Sequence, residues 1–231
     1  GYTDWYESDG MTYNLLESDN KYLGDWWGYV YRYKLPGTTA DEDKRNPAYS
    51  SYGTVMPNNT WAGAATDGKV TVASQQLTGN AADRTKKLGA WKSWFMLDDK
   101  IVCLGTGIKG GKGTVATTVE NILLSKKPGE NAVKGYDVGY EEAVIDGETL
   151  PVEFDIKKEV QNPSWAWLES NRGFLFMGEN KLVAERAAED KAFAGLSAAT
   201  KNQDRTKPFM TLYLGHGQEP KNGSYAYAIL P

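Results

Sequence analysis

The segment that decides the fold is Ser93–Leu104, with the sequence SWFMLDDKIVCL. Two strongly apolar runs, Ser93–Leu97 and Ile101–Leu104, flank the acidic pair Asp98-Asp99. Aspartate favours tight turns because its carboxylate accepts hydrogen bonds from nearby backbone amides. Apolar runs joined in this way are typical of neighbouring antiparallel strands, so the sequence predicts a β-hairpin here.

Outward from this hairpin, apolar and polar residues alternate with a period of two through most of the chain, with turn-forming residues between the runs. Two further hairpins are predicted at Asp67-Gly68 and Asp146-Gly147. A type I′ turn needs a positive φ at both central residues, and the pair Asp-Gly is favoured there for that reason. The predicted strands are Met11–Leu16, Gly28–Tyr33, Thr60–Thr66, Lys69–Leu77, Lys87–Leu97, Ile101–Thr106, Thr114–Leu124, Ala143–Ile145, Thr149–Val152, Ser164–Glu169, Gly173–Met177, Leu182–Ala187, Pro208–Gly215 and Ser224–Leu230.

Helical patterning is scarce. The alanine-rich segment Ala187–Thr200 is interrupted by Gly195 and is interpreted as one short helix or a loop. The longest polar connector, Lys126–Gly139, lacks the low complexity of an interdomain linker. We therefore predict a single all-β domain over residues 1–231, a large antiparallel β-sandwich with little helix.

The overall charge and hydropathy exclude several classes of protein. The 231 residues include 26 Lys and Arg against 30 Asp and Glu, which gives a net charge of −4 and a pI of about 5.2. Such a chain lacks the basic surface of a nucleic-acid-binding protein. Mean hydropathy is −0.56, and no apolar run approaches the roughly 20 residues of a membrane helix. The opening sequence GYTDWYESDG has neither the basic nor the apolar region of a signal peptide.

A single cysteine and a single histidine restrict the chemistry further. Cys103 cannot form an internal disulfide or a structural zinc site, and its apolar neighbours predict a buried, inert thiol. His216 follows an apolar strand, and no orienting partner or nucleophile is evident beside it in the sequence. We interpret His216 as a structural histidine that forms a hydrogen bond at a strand end.

The segment Gly105–Gly110 matches the pattern GxGxxG. A dinucleotide site would need the N-terminus of a helix directly after the glycines. The following residues, GKGTVATTVE, have the β-branched pattern of a strand instead. The sequence therefore favours a hairpin loop over a nucleotide-binding loop.

The supply of aromatic residues is large, with 8 Trp, 14 Tyr and 6 Phe, which is compatible with carbohydrate binding through rings that stack on sugar C–H faces. The densest stretch begins at Trp26-Trp27, and Arg32 follows nearby. In a strand, one face of this stretch would be core and the other could contact a sugar carboxylate through the guanidinium. Trp26, Trp27 and Arg32 are therefore candidate contacts to an acidic glycan, with burial in the core as the alternative.

The pair Asp98-Asp99 is a candidate calcium site, because adjacent carboxylates offer hard oxygen ligands. The alternative is a turn whose carboxylates accept hydrogen bonds from backbone amides. Two residues supply too few ligands for calcium, so further donors would have to come from elsewhere.

Five blocks of sequence, taken in order, resemble polysaccharide lyase family 8, which includes the hyaluronate, chondroitin AC and xanthan lyases. They extend almost from end to end of the chain, and as a set they are highly specific. The blocks are Trp5–Tyr13 (WYESDGMTY), Tyr31–Thr39 (YRYKLPGTT), Lys92–Gly105 (KSWFMLDDKIVCLG), Thr117–Asn121 (TTVEN), and Leu214–Gly217 (LGHG) with Ser224–Pro231 (SYAYAILP).

The resemblance implies most of the central super-sandwich, a galactose-mutarotase-like domain, of a larger secreted bacterial enzyme. Members of the family also have an N-terminal helical toroid and a C-terminal β domain. The implied reaction is β-elimination on a uronic acid-containing polysaccharide. The catalytic Asn, Tyr, His and Arg of the family belong to the toroid, and the Glu and Asn that the sandwich contributes lie upstream of Gly1. We therefore expect this chain alone to hold no catalytic residue and to be inactive.

Two local departures from the family pattern leave hyaluronan, chondroitin and xanthan open as substrates. One is Trp27–Val30, WGYV, and the other is Leu214-Gly215 before His216. The resemblance also strengthens the calcium hypothesis, since xanthan-type members bind calcium in the β region and Asp98-Asp99 lies in a matching block. The expected partners are an acidic polysaccharide and the helical toroid. A stand-alone carbohydrate-binding module is the alternative function.

Overall fold

The structure is a computed structural model that describes residues 7–15, 26–41, 61–78, 88–124, 142–151, 156–169, 172–189 and 207–231. Helical structure within these ranges is limited to α1 (Trp26–Tyr29) and two 3₁₀ turns, Glu7–Asp9 and Arg32–Lys34. The remaining regular structure is strand, which confirms the predicted all-β sandwich with little helix. None of the helices described is long and apolar enough to cross a membrane.

Two antiparallel sheets form the sandwich. The smaller has five strands in the order β1-β6-β13-β12-β9, and the larger has nine in the order β2-β3-β4-β5-β14-β11-β10-β7-β8. The strands are β1 (Thr39–Asp41), β2 (Ala62–Thr66), β3 (Thr71–Thr78), β4 (Gly89–Met96), β5 (Ile101–Lys109), β6 (Thr114–Leu123), β7 (Ala143–Ile145), β8 (Glu148–Thr149), β9 (Ile156–Gln161), β10 (Trp165–Leu168), β11 (Arg172–Phe176), β12 (Lys181–Glu189), β13 (Lys207–Gln218) and β14 (Gly223–Leu230).

The core lies in two clusters, on opposite faces of the five-stranded sheet. The main cluster fills the space between the sheets and receives Met210, Leu212 and Leu214 from β13. The second cluster contains Phe209 of the same strand and Trp26 of α1. Because side chains alternate along a strand, the middle of the five-stranded sheet is buried on both faces, and the segment around α1 covers its outer face.

The three predicted hairpins are present, although one turn differs in type. Asp146 and Gly147 have φ values of 49° and 87°, as a type I′ turn requires. The Asp98-Asp99 turn closes with the Leu97 amide donating to the Lys100 carbonyl oxygen at 2.9 Å. At the third hairpin Gly68 has positive φ but Asp67 does not, because the Asp67 carboxylate accepts hydrogen bonds from the Lys69 and Val70 amides within a four-residue connection.

The predicted strand Gly28–Tyr33 is wrong. This stretch forms α1 and the 3₁₀ turn Arg32–Lys34, with the Val30 amide donating to the Trp26 carbonyl oxygen at 2.8 Å. Trp26 and Val30 are both buried, and their spacing of four residues is that of a helix face. The alternation of aromatic residues suggested a strand, but packing against the outer face of a sheet favoured a helical turn.

Other differences concern the ends of elements and short strands. The described part of Met11–Leu16 is not a strand, and β8 ends at Thr149 rather than continuing to Val152. The strands β1 and β9 were not predicted. β1 is only three residues long, and β9 contains the charged run Lys157–Glu159. The first three residues of Ala187–Thr200 belong to β12, and residues 190–200 lie outside the described residues, as does Lys126–Gly139.

Candidate functional site

The predicted sugar contact Trp26 lies in the second core cluster, where its side chain is 1% exposed. Its indole Nε1 donates a hydrogen bond to the Asn121 carbonyl oxygen at 3.2 Å. The faces of this ring are therefore covered by protein, as the core alternative anticipated. The side chains of Trp27 and Arg32 lie outside the described residues, so contact with a glycan stays a prediction for these two.

The predicted calcium ligands Asp98 and Asp99 are exposed at the β4–β5 turn. The Lys100 ammonium forms an ion pair with the Asp99 carboxylate, and this hydrogen bond holds the pKa of Asp99 below its usual range. Nowhere in the described residues do three His, Cys, Asp or Glu side chains gather as a metal site would require. Since calcium takes six to eight oxygen ligands, the described residues do not fit a complete site, and calcium binding stays a prediction.

The geometry instead gathers several motif blocks around one buried lysine. Lys92 of β4 is fully buried, and its Nζ donates to the carbonyl oxygens of Asp9 at 2.8 Å and Gly37 at 2.5 Å. We call Lys92 and these two carbonyl groups the lysine clamp. The ammonium also lies 5.7 Å from the Trp94 ring centre and 6.0 Å from that of Tyr225. Burial lowers the pKa of Lys92 to about 7, while the Asp9 carboxylate acts in the opposite direction.

The clamp joins two segments that are not strands. The Thr12 amide donates to the Pro36 carbonyl oxygen at 2.9 Å, and the Trp94 indole donates to the Thr12 hydroxyl at 3.1 Å. Gly37 has a φ of 82°, and a Cβ added there would lie 2.4 Å from the Thr12 hydroxyl oxygen. Only glycine fits this close approach, which explains the glycine of the YRYKLPGTT block.

A second set of contacts joins the strands β1, β6 and β13 of the five-stranded sheet through Thr117 and His216. The Thr117 hydroxyl lies 2.8 Å from the Thr39 hydroxyl and 2.8 Å from the His216 Nε2. Burial lowers the pKa of His216 to about 4, and the nearby Lys92 ammonium adds to the effect. The imidazole is therefore neutral at neutral pH, and the interpretation of His216 as a hydrogen-bonded structural residue is confirmed.

The TTVEN block provides the third set of contacts. The Arg172 Nε lies 3.5 Å from the Glu120 carboxylate with both side chains buried, and its Nη2 donates to the Asn14 carbonyl oxygen at 3.2 Å. The Asn121 side-chain amide donates to the Lys34 carbonyl oxygen at 2.9 Å. The bond from the Arg172 guanidinium to Asn14 is charge-assisted and therefore strong when buried, whereas the bond from Asn121 to Lys34 joins two neutral groups. Together the two bonds attach Asn14 and Lys34 to the sandwich.

The remaining titratable groups of this cluster are held in their neutral forms. Cys103 is 1% exposed, which confirms the prediction of a buried thiol, and burial raises its pKa to about 11. Burial raises the pKa of Tyr225 and Tyr227 as well. A buried, neutral set of side chains around a buried lysine can position backbone segments. It offers no exposed atom to a substrate at this point of the fold.

The exposed aromatic pair was missed by sequence reasoning. Trp61 and Trp91 are 48% and 45% exposed, and their ring centres lie 5.2 Å apart at an interplanar angle of 69°. The sequence contained one signal for Trp91. Trp91 and Lys92 are consecutive in a strand, so their side chains face opposite sides of the sheet. The partner Trp61 could not be assigned, because it lies two strands away from Trp91.

Known proteins share this architecture. Hyaluronate lyase from Thermasporomyces composti is 32% identical over 231 residues, which are 98% of this chain and 27% of that protein. The structure of Paenibacillus xanthan lyase aligns with a TM-score of 0.79 at 30% identity, over 98% of this chain and 21% of that one. Chondroitin AC lyase from Streptomyces coelicolor A3, in complex with chondroitin sulphate, aligns with a TM-score of 0.61 at 27% identity, over 92% and 24% of the two chains.

The chain thus spans about a quarter of the length of these relatives. A family model described as "Polysaccharide lyase family 8, super-sandwich domain" matches residues 2–231. This confirms the resemblance found in the five sequence blocks, most of which the structure places around the lysine clamp. The chain belongs to polysaccharide lyase family 8 and matches its super-sandwich domain.

Proposed function

We propose that this chain is the central sandwich of an extracellular lyase that cleaves a uronic acid-containing polysaccharide by β-elimination. Its role there is to complete the substrate cleft and to support the catalytic helical domain. The observation that supports this most directly is the family match over residues 2–231, together with relatives that are hyaluronate, xanthan and chondroitin AC lyases.

The lysine clamp supports a positioning role for the domain. It attaches the segment Glu7–Leu15 to β4 and to the loop around Gly37, and this segment exposes Tyr13 and Leu15 at the surface. A functional surface built on a rigid scaffold needs such buried support to hold its geometry. We infer that the exposed side chains of this segment face the cleft or the helical domain in the complete enzyme.

The shape of the larger sheet favours a part of a larger protein over a stand-alone module. All five residues of β2 are exposed, and within the described residues β2 is the last strand of the nine-stranded sheet. An open strand edge of this kind invites further pairing. We infer that another region of the complete enzyme packs against this hairpin.

A chimera tests the proposal. The matching quarter of the Thermasporomyces composti hyaluronate lyase is replaced by this chain, and elimination is followed by the ultraviolet absorbance of the unsaturated uronate. We expect the chimera to act on at least one of hyaluronan, chondroitin and xanthan, and Lys92→Met in the chimera to reduce the rate. A folded chimera that releases no unsaturated product from any of the three would contradict a supporting role for this domain.

A further inference from the structure

We propose that Trp61, Trp91, Lys109 and Lys221 form a binding site for a segment of anionic polysaccharide. We call these four residues the aromatic–lysine groove. It lies on the face of the nine-stranded sheet that is turned away from the core, opposite the face on which Lys92 binds the clamped segments. The identification of the ligand as an acidic glycan rests on the proposed function, whereas the site itself rests on the geometry that follows.

The two indoles provide a fixed apolar surface. The Gln76 amide donates to the Trp61 carbonyl oxygen at 3.0 Å, and Gln76 is also the registered partner of Trp91, so the three strands hold both rings in one row. The rings meet edge to face, an arrangement that aromatic pairs prefer, and each side chain is still about half exposed. Two half-exposed tryptophans side by side are unusual on a soluble surface unless they bind something.

The groove beside Trp91 is cationic. It has a volume of about 360 Å³, and Lys109, Lys221 and Asn222 line it together with Trp91. None of its described lining residues is acidic, although the whole chain has a net charge of −4. Within the described residues neither Lys109 nor Lys221 forms an ion pair. Both ammonium groups are therefore available to a carboxylate on a ligand whose sugar ring rests on the indole.

A β-bulge builds this arrangement. On β4, Gly89 pairs with Lys109 but Trp91 pairs with Thr106, so β5 contains one extra residue between these two pairs. The pairing of β5 with β14 shifts at the same point. Gly107 lies there with a φ of 62°, and a Cβ added to it would be 3.6 Å from the Trp91 ring. Bulges bend a strand and redirect its side chains, and this one brings Lys109 beside Trp91.

The bulge also explains one glycine of the GxGxxG pattern, Gly107. The predicted hairpin loop is wrong for most of the pattern, since Gly105 through Lys109 belong to β5 and the turn begins at Gly110. The Gly110 amide donates to the Pro220 carbonyl oxygen at 2.9 Å, which holds the turn after β5 against the turn before β14. Lys109 precedes Gly110 and Lys221 follows Pro220, so this bond holds the backbones of the two lysines close together.

The charge pattern favours an acidic glycan over other polyanions. Nucleic-acid sites combine a basic surface with many phosphate contacts, and an acidic chain with two lysines in one groove does not provide this. A polysaccharide with one carboxylate per disaccharide needs few cations and gains from flat apolar rings. In the proposed site the two indoles would contact the sugar rings of a disaccharide repeat. The two ammonium groups and the Asn222 amide would contact its carboxylate and other polar groups.

The test is calorimetric titration of the 231-residue chain with a hyaluronan oligosaccharide at low ionic strength. We expect Trp91→Ala to weaken binding about tenfold, as the loss of one good ring contact does. The double variant Lys109→Gln/Lys221→Gln should weaken binding and flatten its salt dependence. Matched controls are Trp165→Ala, an exposed indole elsewhere on the sheet, and Lys69→Gln in the β2–β3 turn, neither of which should change the affinity.

Three outcomes would overturn the site. They are no binding by the folded wild-type chain, equal losses in Trp91→Ala and Trp165→Ala, and full competition by single-stranded DNA. If the wild-type chain does not bind and Trp91 becomes shielded from a fluorescence quencher in the chimera, the groove is a contact to another protein domain. The proposed function fails separately, in a chimera that does not cleave although the isolated chain binds through this groove.

Discussion

The Nζ of Lys92 lies 2.8 Å from the carbonyl oxygen of Asp9, although 83 residues separate the two in the chain. This contact closes a long loop around a buried cation and holds a segment that no strand pairing retains. Two hydrogen bonds from the buried Lys92 Nζ, which are charge-assisted while this amine is protonated, offset the loop-closure entropy. The clamp, together with the bonds to Thr12 and Asn14, therefore joins the irregular segment Glu7–Leu15 to the sandwich.

Replacing Lys92 by Met should loosen that unit. The variant removes the donor that Lys92 provides to the buried carbonyl groups of Asp9 and Gly37 but also removes a buried amine, so the two effects oppose each other. We expect the loss of these two hydrogen bonds to dominate, with a loss of about 2 kcal/mol in the free energy of unfolding. Urea unfolding measures this loss, and hydrogen exchange at Met11 and Thr12 should accelerate more than exchange in β13. Unchanged protection at Met11 and Thr12 would show that the clamp is not what holds the segment.

Stability should fall in acid because of His216. Its folded pKa of about 4 lies below the ordinary value of 6.5, so the unfolded chain takes up the proton first. The contribution of neutral His216 to the free energy of unfolding is complete above pH 6.5 and is lost as the pH falls toward 4. The shift corresponds to about 3 kcal/mol.

The control for this titration is His216→Gln, which keeps a polar group near Thr117 but does not titrate. Denaturant unfolding at several pH values should give a steeper loss for the wild type than for the variant between pH 6.5 and 4. Parallel curves would mean that surface carboxylates, and not this imidazole, account for the acid sensitivity.

Calcium binding at the β4–β5 turn makes a sharp prediction because Lys100 competes for Asp99. Calorimetry at millimolar calcium should detect weak binding that Asp98→Ala abolishes. Lys100→Gln should strengthen binding, since it frees the Asp99 carboxylate and removes a positive charge. An absence of heat in both the wild type and Lys100→Gln would exclude this turn as a calcium site in the chain.

The sequence predicted most of the sandwich because strand signals are local. Ala143–Ile145 forms β7 as predicted, and the Ser93–Leu104 hairpin has the predicted turn. At Gly28–Tyr33 the sequence pattern fitted both the period of a strand and the period of a helix. The structure forms a helical turn there because Trp26 packs on the outer face of the five-stranded sheet. Local reasoning cannot settle such a choice, because the deciding partner is distant in the chain.

The candidate sites were less predictable for the same reason. The clamp joins Lys92 to residues that are 83 and 55 positions away, and the groove joins indoles from β4 and from the residue before β2. The motif blocks were visible as a set, but their convergence on a buried lysine was not. The bulge at Gly107 was hidden within a pattern that resembles a nucleotide-binding loop.

A protein consisting of this sequence alone should not cleave any polysaccharide. Elimination requires a base at the uronate C5 proton and a group that neutralises the carboxylate, so that the developing carbanion is stabilised. Among the described groups, His216 has a pKa of about 4 and bonds to Thr117, and burial raises the pKa of Tyr225 and Tyr227. These groups are poor bases at neutral pH and do not meet solvent as a catalytic set. Loss of general base catalysis alone removes a factor of about 10²–10⁴ in rate. The measurement is the ultraviolet absorbance of unsaturated uronates with hyaluronan, chondroitin and xanthan, and a steady rise that His216→Gln abolishes would place an active site within this chain.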